Sequence, residues 1–183
     1  MHDGDVATPS LPPGTTRPAD ADWSAALPGW RVHAETVPIG RGPDAWVRAG
    51  AVLEWAVKTR SGFAVRPPGR VREGADLELV AAVGPLRITE PVRVVAVVDT
   101  ADRRGFAYAT RPGHPVSGEE AFVVHRDPDG AVWLTLRSLT RPGSGVWRPL
   151  FPGLLVAQRL YRHRYRRALV TDPRSGGARR RGR

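Results

Sequence analysis

The stretch GFAYATRPGHPVSGEEAFVVHRDPDGAVWLTLRSLT, Gly105 to Thr140, decides the fold. Apolar and polar residues alternate along it with the period of a half-buried strand. Phe106, Tyr108 and Thr110 share one face of a first strand, and Glu120, Phe122 and Val124 share a face of the next. Glu119–Arg126 and Ala131–Leu139 flank Asp127, Pro128, Asp129 and Gly130, a run of strong turn formers that predicts a hairpin. Short turns between such strands imply an antiparallel sheet.

Working outward, the same period runs from Phe63 onward. Leu77, Leu79, Ala81 and Val83 share a strand face, Gly84 and Pro85 turn the chain, and Leu86–Val98 is a Val-rich strand with a bulge expected at Pro91. Further upstream, Trp30–Val37 alternates as a first strand. Gly42, Pro43 and Asp44 then open a helix whose apolar positions Trp46, Ala49, Leu53, Ala56 and Val57 precede a stop at Ser61 and Gly62. Downstream, a long helix begins near Pro149–Pro152, with Leu154, Leu155, Tyr161, Tyr165 and Leu169 along one stripe and Arg159, Arg162 and Arg166 opposite. The Pro-rich residues 1–29 read as a disordered leader, 30–171 as a single domain and 172–183 as a disordered basic tail. The fold class is α+β: a curved antiparallel sheet of about seven strands packed on a long C-terminal helix.

Composition narrows the function. With 183 residues and no cysteine, the chain has room for one core and excludes disulfides, a thiolate nucleophile and a cysteine-ligated metal. The start carries no apolar run of a secretory signal and nothing approaches a membrane-spanning helix, so a cytoplasmic location is expected. The net charge of +10 is concentrated at the end: ten Arg and one Asp from Arg159 onward account for +9 of it. Lys58 is the only lysine among 28 basic residues, a skew that a GC-rich genome produces without selection for phosphate contacts. The body is nearly neutral and no strand interleaves aromatic with basic residues, which argues against nucleic acid as the partner. Binding to nucleic acid or a membrane surface through the basic C-terminus stays as the weakest alternative.

The segment from Phe106 to Phe122, with Tyr108, Thr110, Gly113, His114, Gly118, Glu119 and Glu120 between, resembles the domain-of-unknown-function family nineteen-ninety, also called uncharacterised protein family 0548. The resemblance extends to Ile39–Trp46 upstream and to Trp133, Arg137 and Ser138–Pro142 downstream, over roughly residues 30 to 169. The order of elements resembles the helix-grip fold of the START-like (SRPBCC) superfamily, although that superfamily has two short helices after its first strand where the periodicity here shows one. This resemblance implies an architecture and no established activity.

Candidate sites follow from strand faces. Gly40–Ala45 fits G-x-G-x-x-A, but Pro43 removes a donor, Asp44 brings negative charge and no βαβ unit follows, so a dinucleotide is excluded. The five histidines show no metal-ligand spacing; no metal and no cofactor are expected. His114 lies in a Gly-Pro-rich connection between two core strands, where functional loops concentrate. Glu119 and Glu120 must point to opposite faces, and Glu120, in line with Phe122, is the expected inward member, with Arg137 as its partner. Tyr108, His114 and Glu120 are therefore the candidate catalytic residues, and Phe106, Thr110, Phe122, Trp133 and Arg137 the candidate ligand contacts. The expected function is binding of a small hydrophobic or amphipathic molecule between sheet and helix. The alternative is a cyclase, dehydratase or isomerase using the Tyr/His/Glu cluster, so whether the chain is an enzyme stays open.

Overall fold

The computed structural model describes residues 11–83, 86–143, 145 and 147–170. Seven strands form one sheet in the order β1-β7-β6-β5-β4-β3-β2, every neighbouring pair antiparallel. They are β1 (Arg31–Arg41), β2 (Phe63–Arg66), β3 (Asp76–Val83), β4 (Leu86–Asp99), β5 (Arg103–Thr110), β6 (Val116–Arg126) and β7 (Ala131–Pro142). Helices α1 (Gly42–Ala49) and α2 (Ala56–Thr59) lie between β1 and β2, and α3 (Trp147–Ala168) closes the chain. This is the helix-grip arrangement: the sheet curves around a terminal helix that covers one face.

The helix expected from Gly42 to Ser61 is broken, which supplies the two short helices of that fold. A 3-10 turn, Gly50–Glu54, follows α1, and Trp55 adopts the left-handed conformation at φ 60°. A bulky residue is rarely found there. Trp55 is held because its ring is buried and meets the edge of Phe106 at 4.6 Å between centroids. The reversal turns α2 inward, so that Lys58 points into the protein. The bulge in β4 falls between Val94 and Ala96, where the register to β5 shifts. Pro91 stays in register opposite Glu78, because a proline removes one donor without inserting a residue.

Alternation sorts the side chains as the pattern requires. Val92, Val94, Phe106, Tyr108, Phe122, Val124, Leu134 and Leu136 face the helices and join Trp55, Val57, Tyr165 and Leu169 in one core. Polar ties seat α3 on the rest of the protein. Arg60 donates to the Ala168 carbonyl at 2.9 Å, Arg164 to the Ser61 carbonyl at 3.3 Å, Lys58 to the Tyr165 hydroxyl at 2.7 Å, and Arg166 pairs with Glu35 of β1 at 2.8 Å.

The opposite face carries two buried charges. Glu119 accepts the backbone N–H groups of Gly14 (2.8 Å), Thr15 (3.2 Å) and Thr16 (2.7 Å), and also the Thr16 hydroxyl. Arg137 donates to the carbonyls of Thr16 (3.1 Å), Arg17, Asp20 (2.8 Å) and Ala21 (3.1 Å). The described part of the expected leader, residues 11–29, thus packs on the sheet over Gly14–Ala21. Its backbone groups, the Thr16 hydroxyl and the Trp23 ring, 5.7 Å from the Arg137 guanidinium, surround these two charges, so residues 14–23 are held against the sheet where the sequence pattern predicts a disordered leader. Residues 1–10 and 171–183, including the expected basic tail, lie outside the described residues.

The clamp has a thermodynamic signature. Hydrogen bonds to a charged group contribute about 1.5–3 kcal/mol. Glu119→Gln is expected to cost about 2 kcal/mol in the full chain, read from urea unfolding, and close to nothing in a chain lacking residues 1–21. An equal cost in both would show that Glu119 stabilises the fold by another route.

Candidate functional site

Four elements converge on the helix-covered face to build a polar centre inside an aromatic shell. Lys58, brought in by α2, is buried with its ammonium within 4.5–5.5 Å of the ring centres of Phe63, Tyr108, Phe122 and Tyr165. Such rings attract a desolvated cation through their faces. Lys58 Nζ lies 2.9 Å from Glu120 Oε2, and the Tyr108 hydroxyl donates to the same oxygen. The Tyr165 hydroxyl accepts from Lys58 on the far side.

Burial opposes the Lys58 charge, but Glu120, Tyr108 and Glu90 more than offset it and hold the ammonium above its ordinary pKa. For Glu120, burial would raise the carboxyl, yet the Lys58 charge and the hydrogen bonds from Lys58 and Tyr108 take it below the usual carboxylate range. Burial and the neighbouring Glu120 push both tyrosine hydroxyls upward. At neutral pH the centre is therefore an ammonium, a carboxylate and two neutral phenols.

A second polar pair stands beside it. Burial pushes Glu90 of β4 up to about 7, against the pull of Lys58. Burial and the Lys58 charge take His114 down to about 4, so its imidazole is neutral at pH 7. His114 Nδ1 accepts the Val116 N–H at 3.1 Å, which places the imidazole proton on Nε2. Nε2 lies 3.6 Å from Glu90 Oε2, too long for a direct hydrogen bond.

Both pairs open on one cavity of about 90 Å³ between the sheet, α3 and the β5–β6 connection. Tyr108, His114 and Glu120 all line it, as expected from the sequence, and so does Thr110. Lys58 and Glu90, which sequence reasoning missed, line it as well, together with Ser138, Thr140 and Tyr165. Leu154, Ala157 and Tyr161 of α3 close it from above. Arg162, expected on the solvent side of α3, instead turns inward and donates to Ser138 Oγ at 3.2 Å.

The remaining expected contacts fall elsewhere. Phe106 and Phe122 are fully buried beneath the cavity, where they build the shell without lining it. Arg137 pairs across the strands with Ala121, which puts it on the same face as Glu119, so Lys58 and not Arg137 is the partner of Glu120. Trp133 shares that opposite face and donates from Nε1 to Asp127 at 2.8 Å. Among the described residues no three His, Asp or Glu side chains gather as a metal-holding group.

A seven-stranded sheet with a terminal helix across one face, and a polar-lined cavity between them, is the helix-grip fold. The chain belongs to the family described as Domain of unknown function (DUF1990), whose pattern matches residues 16–168. A UPF0548 protein of Deinococcus radiodurans is 36% identical over 168 residues, which is 83% of this chain and 84% of that protein. A hypothetical protein, jhp0584, from Helicobacter pylori shares the fold with a TM-score of 0.54 at 8% identity, over 89% of this chain and 95% of that one. The norcoclaurine synthase of Thalictrum flavum, in complex with dopamine and hydroxybenzaldehyde, does so with a TM-score of 0.50 at 10% identity, over 80% and 95%. Among the described residues no helix is long and apolar enough to cross a membrane.

The Glu90 carboxyl gives the site a pH signature. Its pKa rises on folding, so between about 4.5 and about 7 the folded state holds more protons and stability falls as pH rises. His114 acts in the opposite sense between about 4 and 6.5, where the unfolded state holds more protons and stability rises with pH. In Glu90→Gln only the second trend remains. Relative to the parent, this variant is expected to gain stability steadily from pH 4.5 to 7 and to level off above, as measured by chemical unfolding across that range. A parallel pair of curves would place the Glu90 carboxyl in water.

Proposed function

We propose that this protein binds a small amphipathic molecule in the cavity between sheet and α3, with a hydroxyl or carbonyl group directed at the Lys58–Glu120–Tyr108 centre. The observation that supports this reading is the ion pair itself. Glu120 keeps 23% of its side-chain surface open while Lys58 keeps 4%, so the pair meets the cavity through its carboxylate. A buried ion pair stabilises a fold no better than apolar residues of the same volume, and a pair retained at a cavity is suited to holding a polar guest. The volume limits that guest to a small group, since drug-sized sites run to roughly 300–1,000 Å³. The aromatic walls favour a flat, partly apolar one; the solved norcoclaurine synthase carries hydroxybenzaldehyde and dopamine within the same fold.

One observation favours a second reading, proton transfer on the bound molecule. Glu90, with its pKa near 7, stands beside a neutral His114 across a gap that one oxygen atom of a ligand could bridge. Groups poised near neutrality serve as general acid or base, the chemistry of a dehydratase, isomerase or cyclase. Lys58 is unsuited to Schiff-base chemistry, because a nucleophilic lysine needs a lowered pKa and this one is raised.

Calorimetry and saturation-transfer NMR with phenol and hydroxybenzaldehyde test the binding reading. Saturable binding of one molecule per chain is expected, lost in Ala157→Phe, which fills the cavity from α3, and weakened about tenfold in Glu120→Gln, the loss of roughly one charge-assisted hydrogen bond. Near-UV CD confirms that each variant is folded. Binding that Ala157→Phe leaves intact would place the probes outside the cavity and overturn the assignment.

A further inference from the structure

The helix that covers the cavity has a second side. Of the six large apolar side chains that stand exposed among the described residues, four belong to α3 or follow it directly: Leu150, Val156, Leu160 and Val170. Val156 is 59% exposed and Leu160 64%, and the next residues on the same helical line, His163 and Arg167, are exposed as well. The outer line of α3 thus runs from aliphatic to basic. Arg159 and Arg164 flank it, one on each side, by the rotation of the helix. α3 holds six arginines and no acid. Arg166 is countered by Glu35, and Arg162 turns inward to Ser138. Among the described residues Arg159, Arg164 and Arg167 meet no carboxylate, and Arg164 donates to the Ser61 carbonyl, a neutral partner that leaves its charge in place.

We infer that the outer side of α3 docks on an anionic lipid surface, with Val156 and Leu160 entering the boundary between headgroups and acyl chains and Arg159, Arg164 and Arg167 at the level of the lipid phosphates. A helix with aliphatic residues on its free side and arginines around them lies in the plane of a bilayer interface. A basic cluster without acids is drawn to an anionic leaflet. The make-up of the face decides between occupants. Nucleic acid would satisfy the arginines and leave Val156 and Leu160 in water. A second copy of the chain would cover the aliphatic residues but bring a like-charged helix against this one. A bilayer with acidic headgroups supplies both the apolar layer and the negative charge. The inner side of the same turns, Leu154, Ala157 and Tyr161, lines the cavity, so the docked helix stands between lipid and the ligand space. The inference does not depend on what the cavity binds.

Co-sedimentation of the full chain with vesicles of phosphatidylcholine, and of phosphatidylcholine mixed with phosphatidylserine, tests the docking at low and at physiological salt. Binding to the mixed vesicles is expected to be about tenfold or more tighter than to phosphatidylcholine alone, and to weaken as salt rises. Val156→Ser combined with Leu160→Ser keeps every charge and should lower that binding about tenfold, as should Arg159→Gln combined with Arg167→Gln. All four positions are exposed, so the near-UV CD of both variants is expected to match the parent. Full binding by the serine variant would show that charge alone holds the chain to lipid and would overturn the docking. Full binding by the glutamine variant would move the basic contact off the outer side of α3, with the same consequence. Absence of binding to the mixed vesicles overturns the proposal outright, and a duplex DNA titration that then succeeds would make nucleic acid the partner.

Discussion

The buried ion pair between Lys58 and Glu120 is the constraint around which the rest of the protein is arranged. An ammonium inside an aromatic core is tolerable only with a close counter-charge and its remaining protons satisfied. Glu120 supplies the charge, Tyr165 accepts a second hydrogen bond, and four ring faces surround what is left. Each partner comes from a different element, so the pair ties α2, β6 and α3 together. The left-handed Trp55 belongs to the same arrangement, since without that reversal α2 would continue the line of α1 and carry Lys58 away from the sheet.

Strand parity then explains why the protein has two buried carboxylates with separate solutions. Glu119 and Glu120 are adjacent in β6, so one faces the helices and the other the opposite side. Glu120 meets a lysine on a helix. Glu119 meets no cation there; it uses three consecutive N–H groups of an otherwise irregular segment, with the Thr16 hydroxyl, as its counter-charge. Arg137 completes that clamp by binding carbonyls of the same segment, so the two charges never need to touch. Gly118, just before them, fits the close approach of β6 to β7: a Cβ there would sit 1.9 Å from the Leu139 carbonyl oxygen.

Alternation made most of this legible in the sequence. It identified the sheet, the hairpin at Asp127–Gly130, the terminal helix and the inward turn of Glu120, because a period of two with one buried face leaves little freedom. It also held the means to place Arg137 and Trp133 correctly. The hairpin register sets Ala121 opposite Arg137 and His125 opposite Trp133, so both belong to the face of Glu119. Glu90 was visible by the same rule as a charge in line with Ile88, Val92 and Val94. Lys58 carried a compositional signal: a lone lysine in a chain that otherwise uses arginine for positive charge marks a position where a compact point charge fits and a guanidinium does not. The clamp on Gly14–Ala21 left no such trace, because backbone groups recognised by a distant carboxylate have no residue pattern.

The charge states assign different tasks to the two polar pairs. Lys58 and Glu120 are each held far from neutrality in the charged form, so they present a fixed dipole to whatever enters and exchange no proton near pH 7. Glu90 and His114 line the same cavity, one close to its pKa and the other neutral with its proton directed at the first. In the proposed reading a fixed dipole orients a polar group, and a titratable pair beside it can move a proton on the bound molecule. On that reading orientation and proton transfer fall to different pairs within one small space. The same burial that costs Glu90 its charge is what makes it able to exchange a proton at neutral pH.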